Sequence, residues 1–300
     1  MPTTDTTSSK NLSQSFDSHF IDVGGVKAHY WILGAKNEDP PIILLHGVGT
    51  SVLEFEQNMN FLAKEVKCVL ALDLLGHGWT EKPQDPAMYT IDRQAQFILD
   101  FMTAHSIPKA HLLGWSHGGR LALQCALMES ERVASMTLVA PAGTGPDVLL
   151  ELRLATLPGI GECVAKFPNE LTFRLLWRKV FYHEKSSSIV TKEFLQKKLE
   201  IAALPGTQFS FILCLRSLLN YRGFLPGPLA DLETNLHRLK MPVLVVWGKD
   251  DLFLPVSQHS VLKNNLPTVH VEFFEKCGHA PHIEKVDIFH EKVGAFLKSL

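Results

Sequence analysis

The chain has 300 residues, 46% hydrophobic and 20% charged, with 29 Lys and Arg against 31 Asp and Glu. That length and balance fit one large soluble domain or a core carrying an insertion, and a net charge of -2 without a basic stripe offers no footprint for nucleic acid. Five scattered cysteines (Cys68, Cys125, Cys163, Cys214, Cys277) form no C-x-x-C pair, so reduced thiols and a cytoplasmic setting are expected.

Residues 1–16 are rich in Thr and Ser, lack an apolar run, and read as a disordered lead rather than a signal peptide. His19 to Val23 and Lys27 to Leu33 flank Gly24-Gly25 as a hairpin. Pro41 to Leu45 is a continuous apolar run, as expected of a strand buried on both faces. The pattern then predicts a helix over Val52 to Lys64, a buried strand over Val66 to Leu72, and a helix over Ile91 to His105 with Ile91, Ala95, Ile98 and Met102 on one face. Further strands are predicted at Ala110 to Gly114, Ser135 to Ala140, Pro242 to Trp247 and Val269 to Phe274, with a helix after Ser116 and a closing helix from Val286. Strands alternating with helices give an α/β fold with a doubly wound, mostly parallel sheet.

Residues 146–237 break this rhythm, showing only helical stretches separated by Pro and Gly. They are expected to form an all-helical cap over the carboxyl ends of the strands, on a core made of 17–145 and 238–300. The longest apolar stretch, Phe209 to Leu219, is interrupted by Arg216 and too short to span a bilayer, so no integral membrane segment is expected. Oligomeric state is not legible.

Gly114-Trp115-Ser116-His117-Gly118 lies where a strand turns into a helix. A G-x-S-x-G turn there exposes the serine hydroxyl above the sheet. A serine needs a base, an acid to orient the base, and donors for the oxyanion. His279, in the loop after the last strand, is the base candidate ahead of His282 and His270. The acid lies in Gly248 to Pro255, with Asp251 favoured, Asp250 as the fallback and Asp147 third. The oxyanion donors are the backbone amides of Val48, in His46-Gly47-Val48-Gly49, and His117. His46 is read as a brace, and Asp73, in Asp73 to Gly78, as a turn former bonded to backbone amides. Phosphate-loop, dinucleotide and H-E-x-x-H patterns are missing from the sequence, so neither a cofactor nor a metal is expected.

With HGVG, DLLGHG, GWSHGG, GKDDLFLP and CGHAPHIEK in this order, the chain resembles the α/β-hydrolase fold family from about Asp17 to Leu300. The resemblance implies an acid three residues after Gly248, which is Asp251. It implies a serine hydrolase on a small or medium apolar substrate, an ester first. Cleavage of a carbon–carbon bond, as in meta-cleavage product hydrolases, and a weakly catalytic receptor are the alternatives. Trp115, Phe173, Trp177, Phe181 and Lys198 are candidate pocket residues. Lys198 stands where the carbon–carbon hydrolases carry an arginine, Val48-Gly49-Thr50 replaces their glycine-rich oxyanion loop, and Ala280 replaces an aromatic residue after the base.

Overall fold

The computed structural model describes residues 16–35, 39–166 and 169–300. The predicted lead therefore lies outside the described residues except for Phe16, whose ring packs 5.3 Å from that of Trp31. Strands β1 (Ser18–Val23), β2 (Val26–Gly34), β3 (Ile42–Leu45), β4 (Cys68–Leu72), β5 (Ala110–Trp115) and β6 (Val133–Val139) precede the insertion. A two-residue antiparallel pair, β7 (Leu219–Asn220) and β8 (Gly223–Phe224), lies inside it; β9 (Val243–Gly248) and β10 (Val269–Phe274) follow. The sheet has eight strands in the order β1-β2-β4-β3-β5-β6-β9-β10. β1–β2 and β2–β4 are antiparallel and the remaining pairs parallel. β3 and β9 are buried along their whole length, as helices on both faces of a parallel sheet require.

The chain winds outward from β3 to β4 and then crosses back to β5 on the other side of β3. The carboxyl ends of β3 and β5 therefore flank the topological switch point, where open α/β sheets place their ligands.

Two boundaries differ from the sequence expectation. The helix predicted over Val52 to Lys64 is split into a 3-10 turn, Val52–Phe55, and an α-helix, Met59–Val66. Asp73 Oδ1 accepts the Val52 amide at 2.8 Å, and Asn58 spends its side-chain amide on the His282 carbonyl at 3.2 Å instead of capping its own helix. The following strand starts at Cys68 because Lys67 ends the helix in the left-handed region, φ 59°.

Between β6 and β9 the described residues form helices Leu150–Ala155, Ile160–Lys166, Glu170–Val180, His183–Ile189, Lys192–Ala202, Thr207–Leu218 and Pro226–Asn235, so the β7–β8 pair is the departure from an all-helical segment. Asn169 and Thr191 cap two of these, accepting the amides of Thr172 and Phe194. Among the described residues no single helix is long and apolar enough to cross a membrane.

Candidate active site

Ser116 sits between β5 and the helix His117–Met128 with φ 54° and ψ -114°, a region that a residue with a Cβ rarely adopts. The strain is held from both sides: the Ser116 amide donates to the Val139 carbonyl at 2.9 Å, and its own carbonyl accepts the amides of Arg120 and Ala142. Strand and helix approach so closely that a Cβ on Gly118 would stand 2.1 Å from the Leu45 carbonyl oxygen. Glycine at that position is a steric requirement of the turn.

His279 and Asp251 arrive from the ends of β10 and β9. His279 Nδ1 lies 2.7 Å from Asp251 Oδ2, both side chains buried. Asp251 is fixed by further donors: Trp247 Nε1 to Oδ2 at 3.0 Å, and the Phe253 and Leu254 amides to Oδ1 at 2.8 and 2.9 Å. The Phe253 ring stacks on the His279 imidazole, centroids 5.1 Å apart and planes 9° from parallel. The fallback acids lie elsewhere. Asp250 is exposed, and Asp147 is exposed beside Arg153.

Among the described residues the Ser116 hydroxyl has no hydrogen-bond partner, but the backbone brings it close to the His279 loop. Trp115, one residue away, donates its indole N–H to the His279 carbonyl at 2.8 Å. Catalytic hydrogen bonds often tighten only when substrate is bound.

The amides of Val48 and His117 are spent on no backbone acceptor among the described residues. His117 opens the helix after Ser116, so its N–H belongs to the positive end of the helix dipole. Its side chain is occupied elsewhere: Nε2 lies 2.9 Å from Gln94 Oε1, and burial, helped by His46 and Arg120, pushes the imidazole down to about 3.

His46 braces the loop. Its Nδ1 donates to the Gly47 carbonyl at 2.8 Å and its Nε2 accepts the Leu74 amide at 3.0 Å, so the ring is held neutral, and burial lowers its pKa. Asp73 accepts the Val52 and Trp79 amides and lies 2.7 Å from His29 Nδ1. Burial would raise its carboxyl, but His29, His46 and the Trp79 amide outweigh that and hold it low. No His, Cys, Asp and Glu cluster able to hold a metal ion occurs among the described residues.

The other base candidates differ sharply. His270 is exposed on β10 beside Glu272, 2.9 Å away. His282 is fully buried against Trp115, Phe55 and Phe289, its two ring nitrogens unpartnered among the described residues. Burial, then the charges of His279 and Lys198, push it down to about 3.

The insertion closes over this end of the sheet. The His279 amide donates to the Val180 carbonyl at 2.6 Å, and a Cβ on Gly278 would stand 2.3 Å from that same oxygen. Phe211 covers Gly49, and Tyr89 hydrogen-bonds Ser210 at 2.8 Å.

Of the predicted pocket residues, Trp177 and Phe181 are brought together around Phe194, at 5.0 and 5.9 Å between ring centroids. Lys198 Nζ lies 4.9 Å from the Trp177 ring centre and 4.8 Å from that of Phe194, and pairs with Glu54. Phe173 is half-buried and outside this ring cluster among the described residues. Trp115 is buried beside Ser116, with its indole N–H donated to the His279 carbonyl.

Three positions escaped the sequence reading. Trp247 holds Asp251. Glu284 accepts the Gly278 amide at 2.8 Å and the Tyr182 amide at 3.1 Å, and burial raises its carboxyl. Glu54 pairs with Lys198. A charge inside Val52-Leu53-Glu54-Phe55 and another in the Cys277 to Lys285 motif were the available signals.

The chain is 28% identical over 277 residues to the 2-hydroxy-6-oxononadienedioate/2-hydroxy-6-oxononatrienedioate hydrolase of Burkholderia vietnamiensis, covering 91% of each. Among solved structures it is similar to a meta-cleavage product hydrolase from Pseudomonas fluorescens IP01, at 28% identity and a TM-score of 0.77, covering 93% of this chain and 97% of that one. It is also similar to a bacterial membrane phospholipase A, at 26% identity and a TM-score of 0.74, covering 95% and 87%. The family model for the alpha/beta hydrolase fold matches residues 40–286, and the chain belongs to that family of hydrolases.

Proposed function

We propose that this chain is a serine hydrolase in which Ser116 attacks a carbonyl carbon, His279 takes its proton, and Asp251 holds the imidazole. The observation that carries this reading is the 2.7 Å contact between His279 Nδ1 and an Asp251 carboxylate already fixed by an indole and two backbone amides. Asp251 thereby fixes which ring nitrogen faces Ser116. The oxyanion would fall between the unspent amides of Val48 and His117. Collapse of the tetrahedral species expels the leaving group, which takes the proton from His279. Water activated by His279 then releases the acyl group.

The bond broken is read as a carbon–carbon bond beside a ketone. Support comes from the Burkholderia vietnamiensis 2-hydroxy-6-oxononadienedioate hydrolase and the Pseudomonas fluorescens meta-cleavage product hydrolase, which each match nine-tenths of the chain. Ester hydrolysis is the second reading. It is favoured by Ala280 after His279 and by Lys198, whose charge is already paired with Glu54. The substrate is a small molecule, and the Trp177, Phe181 and Phe194 cluster makes an apolar portion of it the expectation. The expected setting is cytoplasmic.

The test is incubation of the pure protein with ring-fission ketones, with and without a terminal carboxylate, and with p-nitrophenyl esters of increasing chain length. Cleavage of a ketone into an acid and a shorter fragment supports the first reading; turnover of esters alone supports the second. Retention of either activity by Ser116→Ala overturns both.

A further inference from the structure

Glu54 and Lys198 form an ion pair that is buried on both sides, between the turn after the oxyanion loop and the insertion helix Lys192–Ala202. The two residues are 144 positions apart in sequence, so the pair is a seam between core and insertion. It stands close to the catalytic end of the sheet. The charge of Lys198 acts on both His46 and His282, and Phe55, next to Glu54, packs 5.4 Å from His282. Glu54 Oε1 takes Lys198, while Oε2 is buried and has no partner among the described residues. A buried carboxylate oxygen left without a donor is costly.

We propose that this pair is the polar wall of the substrate site and selects an uncharged substrate that carries a hydroxyl or similar hydrogen-bond donor remote from the scissile bond. The inference rests on the Ser116 reading and holds for a ketone or an ester. Two observations carry it. The Lys198 ammonium is already neutralised by Glu54, so a substrate carboxylate finds no unpaired positive partner there and meets a like charge at Glu54. The spare oxygen of Glu54 instead accepts a donor, which completes the hydrogen bonding of a group the fold leaves incomplete. The substrate would then differ in charge from the dioate named for the Burkholderia vietnamiensis hydrolase.

The test uses three fluorophosphonates of equal chain length that end in methyl, hydroxyl or carboxylate, and reads the second-order rate of Ser116 labelling. In the wild type the carboxylate probe is expected to label at least about tenfold slower than the methyl probe, with the hydroxyl probe fastest. Glu54→Gln frees the Lys198 charge, and the carboxylate probe should gain at least about tenfold relative to methyl. Should Glu54→Gln fail to fold, the double variant Glu54→Leu with Lys198→Met, which buries no charge, carries the comparison. There the hydroxyl advantage should vanish while methyl stays ahead of carboxylate. Equal labelling by the methyl and carboxylate probes in the wild type, an unchanged ratio in folded Glu54→Gln, or a hydroxyl advantage that survives in the double variant overturns the inference and leaves the Ser116 reading standing. Labelling by none of the three overturns the Ser116 reading and this inference with it.

Discussion

Trp247 donates its indole N–H to Asp251 at 3.0 Å, on the same carboxylate oxygen that faces His279. One oxygen thus carries two partners, and the tryptophan fixes where the second can stand. Trp247→Phe removes that donor while keeping an aromatic ring on β9. Turnover should fall by about ten- to a hundredfold with KM nearly unchanged, the effect of losing a hydrogen bond to a charged group, about 1.5–3 kcal/mol. Steady-state kinetics on the best substrate of the panel check it; a rise in KM at constant kcat would point to a pocket role instead.

Ser116→Ala leaves the fold intact and removes the proposed nucleophile. The expected loss in kcat is on the order of 10³-fold or more. Because alanine also has a Cβ, the strained φ of 54° is retained and the melting temperature should move by little. Calorimetry alongside kinetics separates loss of chemistry from loss of structure.

Gly118→Ala tests the turn itself. The added Cβ would meet the Leu45 carbonyl oxygen at 2.1 Å, and that backbone atom cannot yield cheaply. A lower melting temperature and loss of Ser116 labelling are expected together. Gly227→Ala is the matched control, since nothing beyond its chain neighbours and its own helix lies within 4 Å of its Cβ position and it falls in the first turn of the helix Pro226–Asn235. There alanine should leave the melting temperature unchanged or raise it, by up to about 1 kcal/mol of stability.

The buried histidines set an acid limit. His117 and His282 are both pushed down to about 3, against an ordinary value of 6.5. The unfolded chain therefore binds protons that the fold refuses. The contribution of these residues to stability is complete above about 6.5 and is lost as pH falls toward 3. Each group adds up to about 1.4 kcal/mol per pH unit to that slope. His282→Phe suits a site walled by Trp115, Phe55 and Phe289, and should flatten the decline of melting temperature between pH 6.5 and 3. An unchanged slope would show that His282 does not titrate on unfolding as described.

What the sequence reveals here follows from how local each demand is. The Ser116 turn is legible because its backbone geometry requires glycine within two positions on each side, and β3 and β9 because burial on both faces makes their residues continuously apolar. Asp250 and Asp251 are harder to separate, since adjacent residues in a turn point in different directions. Only the fold reveals that Trp247, Phe253 and Leu254 converge on one of them. The break in the helix predicted over Val52 to Lys64 depends on Asp73 and His282, which are remote in sequence. The partner of the Trp115 indole, the His279 carbonyl, is likewise remote in sequence.

The bond from the His279 amide to the Val180 carbonyl ties the His279 loop to the insertion through main chain, and the Glu284 carboxylate adds a side-chain bridge by accepting the Gly278 and Tyr182 amides. The insertion is therefore not an exchangeable module. A chimaera that grafts the insertion of a relative onto this core must bring residues 277–284 with it, or the imidazole loses its register with Asp251. Drift in substrate preference is expected to be freer along the helices Lys192–Ala202 and Thr207–Leu218, which meet the core through the side chains of Lys198, Ser210 and Phe211.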